Sequence, residues 1–265
     1  MNEVRPAAVA GLFYPGSAGD LEPMVQGFLH DAVLSDPGCS PKAVIAPHAG
    51  FVYSGPIAGS AFRCFAEDAD VIRRIVLLGP AHRLPVRGLA LPGLAAFETP
   101  LGTVPVDQKL VERIADMPQV STNTAAHAPE HSLEVELPFL QIVLDSFSVL
   151  PLLVSQVDAE DVAEVLDRVW GGPETRIVIS SDLSHYLGYE AAQETDRDTA
   201  RQVIDLHQPI EEHRACGAVA INGFLAVARQ RGLAPRLLDL RNSGDTAGDR
   251  LRVVGYGSFA FATLS

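Results

Sequence analysis

The sequence VIAPHAGFVYSG, residues 44–55, contains a short apolar run that ends abruptly at a histidine, His48. The sequence RIVLLGPAHR, residues 74–83, repeats this pattern and ends at His82. Short apolar runs bounded by glycine and proline are typical of strands that are buried on both faces. Each of these two strands is therefore predicted to carry a titratable side chain at its carboxyl end, and the two strands are expected to be neighbours.

A third apolar run, within TRIVISSDLSHY at residues 175–186, leads to Asp182 and His185. Helical apolar spacing alternates with such runs along the chain. The predicted helices cover residues 19–34, 54–67, 106–116, 134–145, 158–170, 190–206 and 216–231. Further strands are predicted at 147–154, 236–241 and 251–264, and short antiparallel strands or loops at 88–104. This alternation predicts an α/β fold, with a mixed, mainly parallel sheet covered on both faces.

The composition is that of an acidic globular protein. The chain has 265 residues, of which 47% are hydrophobic, and its formal net charge is −13. This length suits one large domain over residues 1–265. The acidic balance argues against nucleic acid as a partner, and no apolar stretch approaches the length of a membrane span. Cys39, Cys64 and Cys216 are sparse and form no CxxC motif, so we expect a cytoplasmic protein without a secretory signal.

In a parallel sheet, ligands bind at the carboxyl ends of the strands, where His48 and His82 are predicted to lie. Imidazole is the commonest metal ligand in proteins, but a metal site needs at least one more donor. The polar segment 241–257 offers three candidates, namely Asp245, Thr246 and Asp249. Two histidines and one carboxylate form the ligand set of non-haem iron oxygenases, and zinc hydrolases use the same atoms. The same residue types also form turns, so this segment is equally well explained as a turn.

Two further clusters contain residues suited to acid–base chemistry. His185 could act as a general acid or base beside a metal, and Asp182 could orient a histidine or hold a water molecule. Alternatively, Asp182 or Ser184 caps the next helix. His131 and Glu134 are three residues apart and would share a face of a helix, although a capped helix start explains them equally well.

The remaining candidates are better explained by structural roles. His30, His207 and His213 are expected at the surface, and His127 is expected to be structural. Cys216 could be a nucleophile, but its apolar surroundings favour a buried, inert thiol. The sequence contains no GxSxG, GxGxxG or P-loop motif, so no motif supports a serine-hydrolase or nucleotide-binding function.

Several long motifs, in this order, resemble those of the Memo family, whose bacterial members are also called AmmeMemoRadiSam system protein B. The motifs are GLFYPG, APHAGFVYSG, LLGPAHR, FETPLGTVPVD, EHSLEVELPFLQ, SSDLSHY and SGDTAGDRLRVVGYGSFAF. The resemblance spans nearly the whole chain. It implies a single domain with a three-layer αβα fold similar to the class III extradiol dioxygenases, which are non-haem iron enzymes, and a metal-binding pocket.

The resemblance also implies roles for individual residues. His48 in PHAG and His82 in GPAHR match the two metal-ligand histidines of the family. Asp182 and His185 match polar residues beside the pocket, and a histidine placed like His185 acts as acid or base in the related dioxygenases. Animal members supply a cysteine as the third ligand. Here that position falls at one of two residues, Asp245 or Thr246. The remaining candidates for the pocket are His131, Glu134 and Tyr53.

Iron is the cofactor that this ligand set favours, with copper or zinc as alternatives. The leading hypothesis is a metal-dependent redox protein or oxygenase-like enzyme of unknown substrate. A second hypothesis is a non-catalytic module that binds a small molecule, a peptide or a protein in the same pocket. A third is a zinc-dependent hydrolase in which His185 assists the attack of water. The bacterial family name also implies an AMMECR-like protein and a radical SAM enzyme as partners.

Overall fold

A computed structural model of the chain describes residues 3–32 and 40–263. The strands are β1 (Val4–Arg5), β2 (Ala43–Ala46), β3 (Arg74–Pro80), β4 (Gly88–Leu91), β5 (Ala96–Thr99), β6 (Gly102–Pro105), β7 (Val120–Thr122), β8 (Ser148–Ser155), β9 (Thr175–Ser180), β10 (His185–Leu187), β11 (Leu233–Asn242) and β12 (Val253–Thr263). The α-helices are α1 (Ala18–Asp31), α2 (Phe51–Phe62), α3 (Gln108–Ile114), α4 (Thr124–His127), α5 (Leu137–Val143), α6 (Ala159–Val169), α7 (Tyr189–Ile204) and α8 (Ala218–Gln230). Short 3₁₀ helices cover Arg63–Asp68, Glu134–Glu136 and Ser243–Asp245.

A mixed sheet of nine strands forms the centre of the described part of the chain. Its order is β10-β12-β2-β9-β3-β8-β4-β7, and β11 also pairs with β12. The four central strands, β2, β9, β3 and β8, run parallel, so their carboxyl ends lie along the same edge. Strand β12 is antiparallel to both of its neighbours in this order, β10 and β2, and β4 is antiparallel to β8. A separate small sheet pairs β1 with β5 and β5 with β6.

Alternate residues of the central strands are buried in two separate apolar clusters. In β3, Val76 and Leu78 join one cluster with α3, α6 and α8, whereas Ile75 and Leu77 join the other with α1, α2 and α5. Because neighbouring side chains of a strand point to opposite faces, both faces of the sheet are covered by helices. This arrangement is a three-layer α/β sandwich and confirms the predicted fold class.

The structure differs from the sequence-based prediction in the order of the strands. The strands that precede His48 and His82 were expected to be neighbours, but β9 lies between them and pairs with both. Every residue of β9 is buried, which is consistent with its central position. The segment after Asp182 starts no helix immediately, because residues 185–187 pair antiparallel with β12 as the edge strand β10. The helix α7 begins only at Tyr189.

Most predicted elements are present, with shifted ends. Pro138 lies in the first turn of α5, where its missing N–H costs no hydrogen bond. The short strands β1, β7 and β10 and the four-residue helix α4 were not predicted. Cys39, the end of the first predicted helix at residues 33–34 and the last residue of the final predicted strand lie outside the described residues.

None of the helices in the described part of the chain has the length and apolar character that a membrane crossing requires.

Candidate metal centre

Three histidines converge at the carboxyl edge of the central strands. His48 follows β2, His82 follows β3, and His131 lies in the loop before the 3₁₀ helix Glu134–Glu136. One ring nitrogen of each lies within 4.8 Å of those of the other two, and no other such group occurs among the described residues. The ring centroids are 4.8–5.4 Å apart. The third histidine comes from the EHSLEVELPF segment, so the group combines three sequence regions.

Glu130 orients two of the three imidazoles. Its Oε1 lies 3.1 Å from Nδ1 of His82 and 3.1 Å from Nδ1 of His131. The two carboxylate oxygens also accept hydrogen bonds from the backbone N–H groups of His82, Arg83, His131 and Ser132. Burial alone would raise the pKa of Glu130, but the close contacts with His131 and His82 outweigh burial and hold this pKa well below its usual value. Glu130 is therefore an anion that leaves the Nε2 atoms of both rings available.

Ser180, the last residue of β9, fixes the ring of His48. The Ser180 hydroxyl lies 2.7 Å from Nδ1 of His48, 2.6 Å from the Ser132 carbonyl and 2.8 Å from Oε1 of Glu136. The single hydroxyl hydrogen is donated to one of these two oxygens, so Nδ1–H of His48 donates to the Ser180 oxygen. Burial raises the pKa of Glu136 well above its usual value, although the hydrogen bond from Ser180 acts in the opposite direction. His48 then carries its hydrogen on Nδ1, and Nε2 bears the lone pair.

Burial, and then the neighbouring His82 and His131, lower the pKa of His48 well below its usual value. His48 is fully buried and neutral, and its backbone N–H donates to Oδ1 of Asp182 at 2.8 Å. The Sγ atom of Cys216 lies 3.3 Å from Nε2 of His48. Burial, together with the nearby Asp182, raises the pKa of the Cys216 thiol to about 12. This thiol is therefore protonated at neutral pH, and Cys216 is half-buried instead of fully buried as expected.

The three histidines line a cavity of about 590 Å³. This volume falls in the usual range for small-molecule sites. Phe13, Tyr53 and Tyr186 contribute aromatic surface, and the Phe13 ring lies 4.6 Å from that of His131. The polar side chains that line the cavity beside the three histidines are Asp182, His185, Ser243, Asp249, Arg252 and Tyr256.

Six of the candidate site residues line this cavity, namely His48, His82, Asp182, His185, His131 and Tyr53. Asp182 is buried, and burial raises its pKa, although His185 acts in the opposite direction. His185 is half-buried at the start of β10, opposite Val254 of β12.

The structure does not bring Asp245 to the histidines. Its Oδ2 accepts the backbone N–H of Asn242 at 3.0 Å, and its Oδ1 accepts the Tyr189 hydroxyl. These bonds complete the cap of the 3₁₀ helix Ser243–Asp245. Thr246 donates to the Ser243 carbonyl and also lies outside the cavity lining. The turn-forming interpretation of this segment therefore accounts for both residues.

Glu134 does not line the cavity and has a structural role instead. It is completely buried, and its carboxylate binds Arg5 at 2.6 Å and the Tyr14 hydroxyl at 2.6 Å. It also accepts the backbone N–H groups of Ala8 and Val9. Glu134 therefore anchors the segment that carries Phe13 against the site.

The remaining histidines lie as expected. His127 is buried, and its Nε2–H donates to the Ala90 carbonyl at 2.8 Å. His30, His207 and His213 are exposed.

Three imidazoles whose ring nitrogens converge within 4.8 Å fit a metal ion chemically. Imidazole binds zinc, copper and iron, and carboxylate partners on the other ring nitrogen are the usual support of such ligands. Glu130 provides this support for His82 and His131, and Ser180 provides the equivalent contact for His48.

Residues 5–260 match the family model described as Memo-like protein.

The chain belongs to the Memo-like family.

Named relatives of this Memo-like chain come from distant organisms. A MEMO1 family protein of Aquifex aeolicus is 34% identical over 97% of the chain and 99% of its own length. MEMO1 family proteins of Methanothermobacter thermautotrophicus and Thermoplasma volcanium are 33% and 32% identical, each over 96% of the chain. These two matches cover 98% and 97% of the relatives. The Memo-like family resemblance predicted from the motifs is thus confirmed.

Three residues that support the histidines of this Memo-like protein, Glu130, Ser180 and Glu136, were not predicted from the sequence. Glu130 is adjacent to His131 in the EHSLEVELPF motif, and a carboxylate beside a candidate ligand was the available signal. Ser180 and Glu136 carried no comparable signal, because their roles depend on the packing of β9 against the 3₁₀ helix Glu134–Glu136.

Proposed function

We propose that this Memo-like protein is a metal-dependent enzyme whose single metal ion is held by His48, His82 and His131. The observation that carries this proposal is the convergence of three imidazole nitrogens within 4.8 Å at one end of a 590 Å³ cavity. Three protein ligands leave coordination positions for a substrate, which is the pattern of catalytic metal sites. The aromatic and polar walls suit a small molecule more closely than an extended peptide.

Iron is the metal that we propose first, with copper as the alternative, and the reaction class is oxygenase-like redox chemistry. A redox-active ion in this position would supply electron transfer to or from a bound small molecule. The chain's own residues then bind and orient the substrate and handle its protons. His185 is the proposed general acid or base, because it lines the same cavity and is half-buried.

Asp182 is the proposed positioning residue for His48. Its carboxylate accepts the backbone N–H of His48, and so it fixes the point at which β2 ends beside the cavity. Glu130 has the same function for His82 and His131. These carboxylates hold the ligands in place before a metal binds, which reduces the reorganisation that binding requires.

A zinc-dependent hydrolase is the second candidate, and a specific observation favours it. A set of three histidines is a known ligand set of catalytic zinc, whereas iron oxygenases usually use two histidines and one carboxylate. In this case the ion would supply activation of water, and His185 would assist proton transfer to the leaving group.

Metal loading of the purified protein tests the proposal. Protein prepared anaerobically is titrated with Fe²⁺, Cu²⁺ and Zn²⁺, and bound metal is measured by elemental analysis. We expect one ion per wild-type chain and none in the His48→Ala, His82→Ala double variant. The exposed His30→Ala, His213→Ala pair is the matched control and should bind like the wild type. Full metal occupancy in the double variant would overturn the proposal.

The family name suggests partners that remain proposals. An AMMECR-like protein and a radical SAM enzyme are the partners that the bacterial family name implies, and a likeness to class III extradiol dioxygenases remains a prediction. That residues 1–265 form one Memo-like domain is supported by the family match over residues 5–260.

A further inference from the structure

The cavity contains a cationic side chain that neither the metal ligands nor the proton-handling residues use. Arg252 follows the loop between β11 and β12 and is the only lysine or arginine in the described lining of the cavity. Its side chain is exposed, and among the described residues it forms no hydrogen bond or ion pair with a protein group. Its guanidinium carbon lies 5.2 Å from the ring centroid of Tyr186. All five N–H donors of this guanidinium are therefore available to a ligand.

No carboxylate of the described residues pairs with Arg252, although acidic residues outnumber basic ones in the chain. The sequence contains 33 Asp and Glu residues against 20 Lys and Arg residues. Asp249 also lines the cavity, but its Oδ1 accepts the backbone N–H of Leu251 at 2.8 Å, and it makes no ion pair with Arg252. Other arginines of the same region are engaged. Arg241, for example, pairs with Asp239.

The backbone holds the Tyr186 ring beside this arginine. Tyr186 has φ of 61°, a left-handed conformation that is uncommon for a residue with a side chain. It is the middle residue of β10, which is pinned to β12 on both sides by the pairs His185–Val254 and Leu187–Val253. Tyr186 is 63% exposed, and its ring faces the guanidinium. A planar guanidinium stacked on an aromatic face keeps its edge free for two parallel hydrogen bonds to a carboxylate.

We propose that Arg252 is a specificity-determining residue that binds the carboxylate of a small, largely apolar or aromatic substrate. Arg252 would bind the carboxylate, while Tyr53, Tyr186 and Phe13 provide apolar surface along the cavity towards the three histidines. The inference deepens the proposed function, because it assigns a substrate class to the same cavity. Its test does not require the metal, since the preference for a carboxylate would depend on the Arg252 guanidinium and not on a metal ion.

The test measures binding of matched carboxylates and carboxamides to the metal-free protein by ligand-observed NMR titration. The probes are benzoate, cyclohexanecarboxylate and hexanoate, each beside its uncharged carboxamide. We expect at least one carboxylate to bind roughly tenfold more tightly than its carboxamide, because a charge-assisted bidentate hydrogen bond is lost in the amide. In Arg252→Gln, the preference should disappear.

Arg250→Gln is the matched control for the loss of one positive charge. Arg250 is exposed, two residues away, and stacked on Tyr189 with its guanidinium carbon 4.3 Å from the ring centroid, but it does not line the cavity. It should keep the full carboxylate preference. A preference that survives in Arg252→Gln, or no binding of any of the three carboxylates to the wild type, would overturn the inference.

Metal loading of Arg252→Gln separates this inference from the proposed function. We expect the variant to bind one metal ion per chain like the wild type. If the wild type binds no metal but shows the Arg252-dependent preference, the proposed function fails and the carboxylate site stands. If metal binds but the preference is absent, the carboxylate site fails and the metal centre stands.

Discussion

Among the single residues of the candidate site, Glu130 makes the most contacts that hold the histidines in place. One carboxylate contacts two ring nitrogens and four backbone N–H groups, and it is 2% exposed. A buried anion with this many donors holds both the rings and the loop that carries them. Its charge also complements the positive charge of a metal ion held by the three imidazoles.

Removal of this charge should weaken metal binding. We expect Glu130→Gln to lower metal affinity by roughly 10- to 100-fold, the usual effect of losing the carboxylate behind a ligand histidine. The measurement is a competitive titration of metal against a chelator. Glu98→Gln, an exposed substitution in β5, is the control and should not change the affinity. Unchanged affinity in Glu130→Gln would show that Glu130 has no part in metal binding.

His127 predicts how stability depends on pH. Burial lowers its pKa from 6.5 to about 4, although the hydrogen bond to the Ala90 carbonyl acts in the opposite direction. Below pH 6.5 the unfolded chain binds a proton at this residue that the folded protein does not bind. The contribution of His127 to the free energy of unfolding is therefore fully present above pH 6.5. It is lost as the pH decreases from 6.5 towards about 4.

This dependence should be reduced in His127→Gln, whose amide can donate to the same carbonyl. We expect the wild type to lose about 2 kcal/mol more than His127→Gln between about pH 7.5 and about pH 5. Urea denaturation of both proteins at the two pH values measures the difference, and the exposed His30→Gln should behave like the wild type. Equal losses in wild type and His127→Gln would contradict the assignment.

The N-terminal segment is the element that closes one side of the cavity. It pairs through β1 with β5, and a buried network connects it to the 3₁₀ helix Glu134–Glu136. Arg5 is 2% exposed, and it donates to Glu134 and to the backbone carbonyls of His127 and Glu130. The GLFYPG motif is thus a structural anchor that places Phe13 against His131.

Breaking this network should destabilise the fold. We expect Glu134→Ala to lower the free energy of unfolding by about 3–5 kcal/mol, because it leaves the buried Arg5 without its anion. Chemical denaturation at neutral pH measures this loss, with Glu98→Ala as the exposed control. A loss no larger than that of the control would show that the Arg5–Glu134 pair does not anchor the segment.

Elements with strong apolar periodicity could be predicted from the sequence. The buried strands β2, β3 and β9 read as continuous apolar runs because helices cover both of their faces. The short strands β1, β7 and β10 contain two or three residues each, too few for a recognisable pattern. Strand order could not be read in the same way, since the position of β9 between β2 and β3 depends on pairing across more than 100 residues.

At the scale of the whole molecule, the fold brings three regions that are distant in the sequence to one edge of the sheet. His48 and His82 were predictable because each directly follows a buried strand. His131 was a weaker candidate, since it lies in a loop whose path is fixed by Glu130 and by the Ser132 hydrogen bond to the Pro80 carbonyl. Asp245 looked equally suitable in sequence, but a carboxylate in a turn is readily used by the turn's own N–H groups.

The choice between His131 and Asp245 as the third ligand is the most direct test of the account. The measurement is metal content per chain, determined by elemental analysis of anaerobically prepared wild type, His131→Ala and Asp245→Ala. The account predicts near-stoichiometric metal in the wild type and in Asp245→Ala, and loss of metal in His131→Ala. Retention of metal in His131→Ala together with its loss in Asp245→Ala would contradict the three-histidine centre.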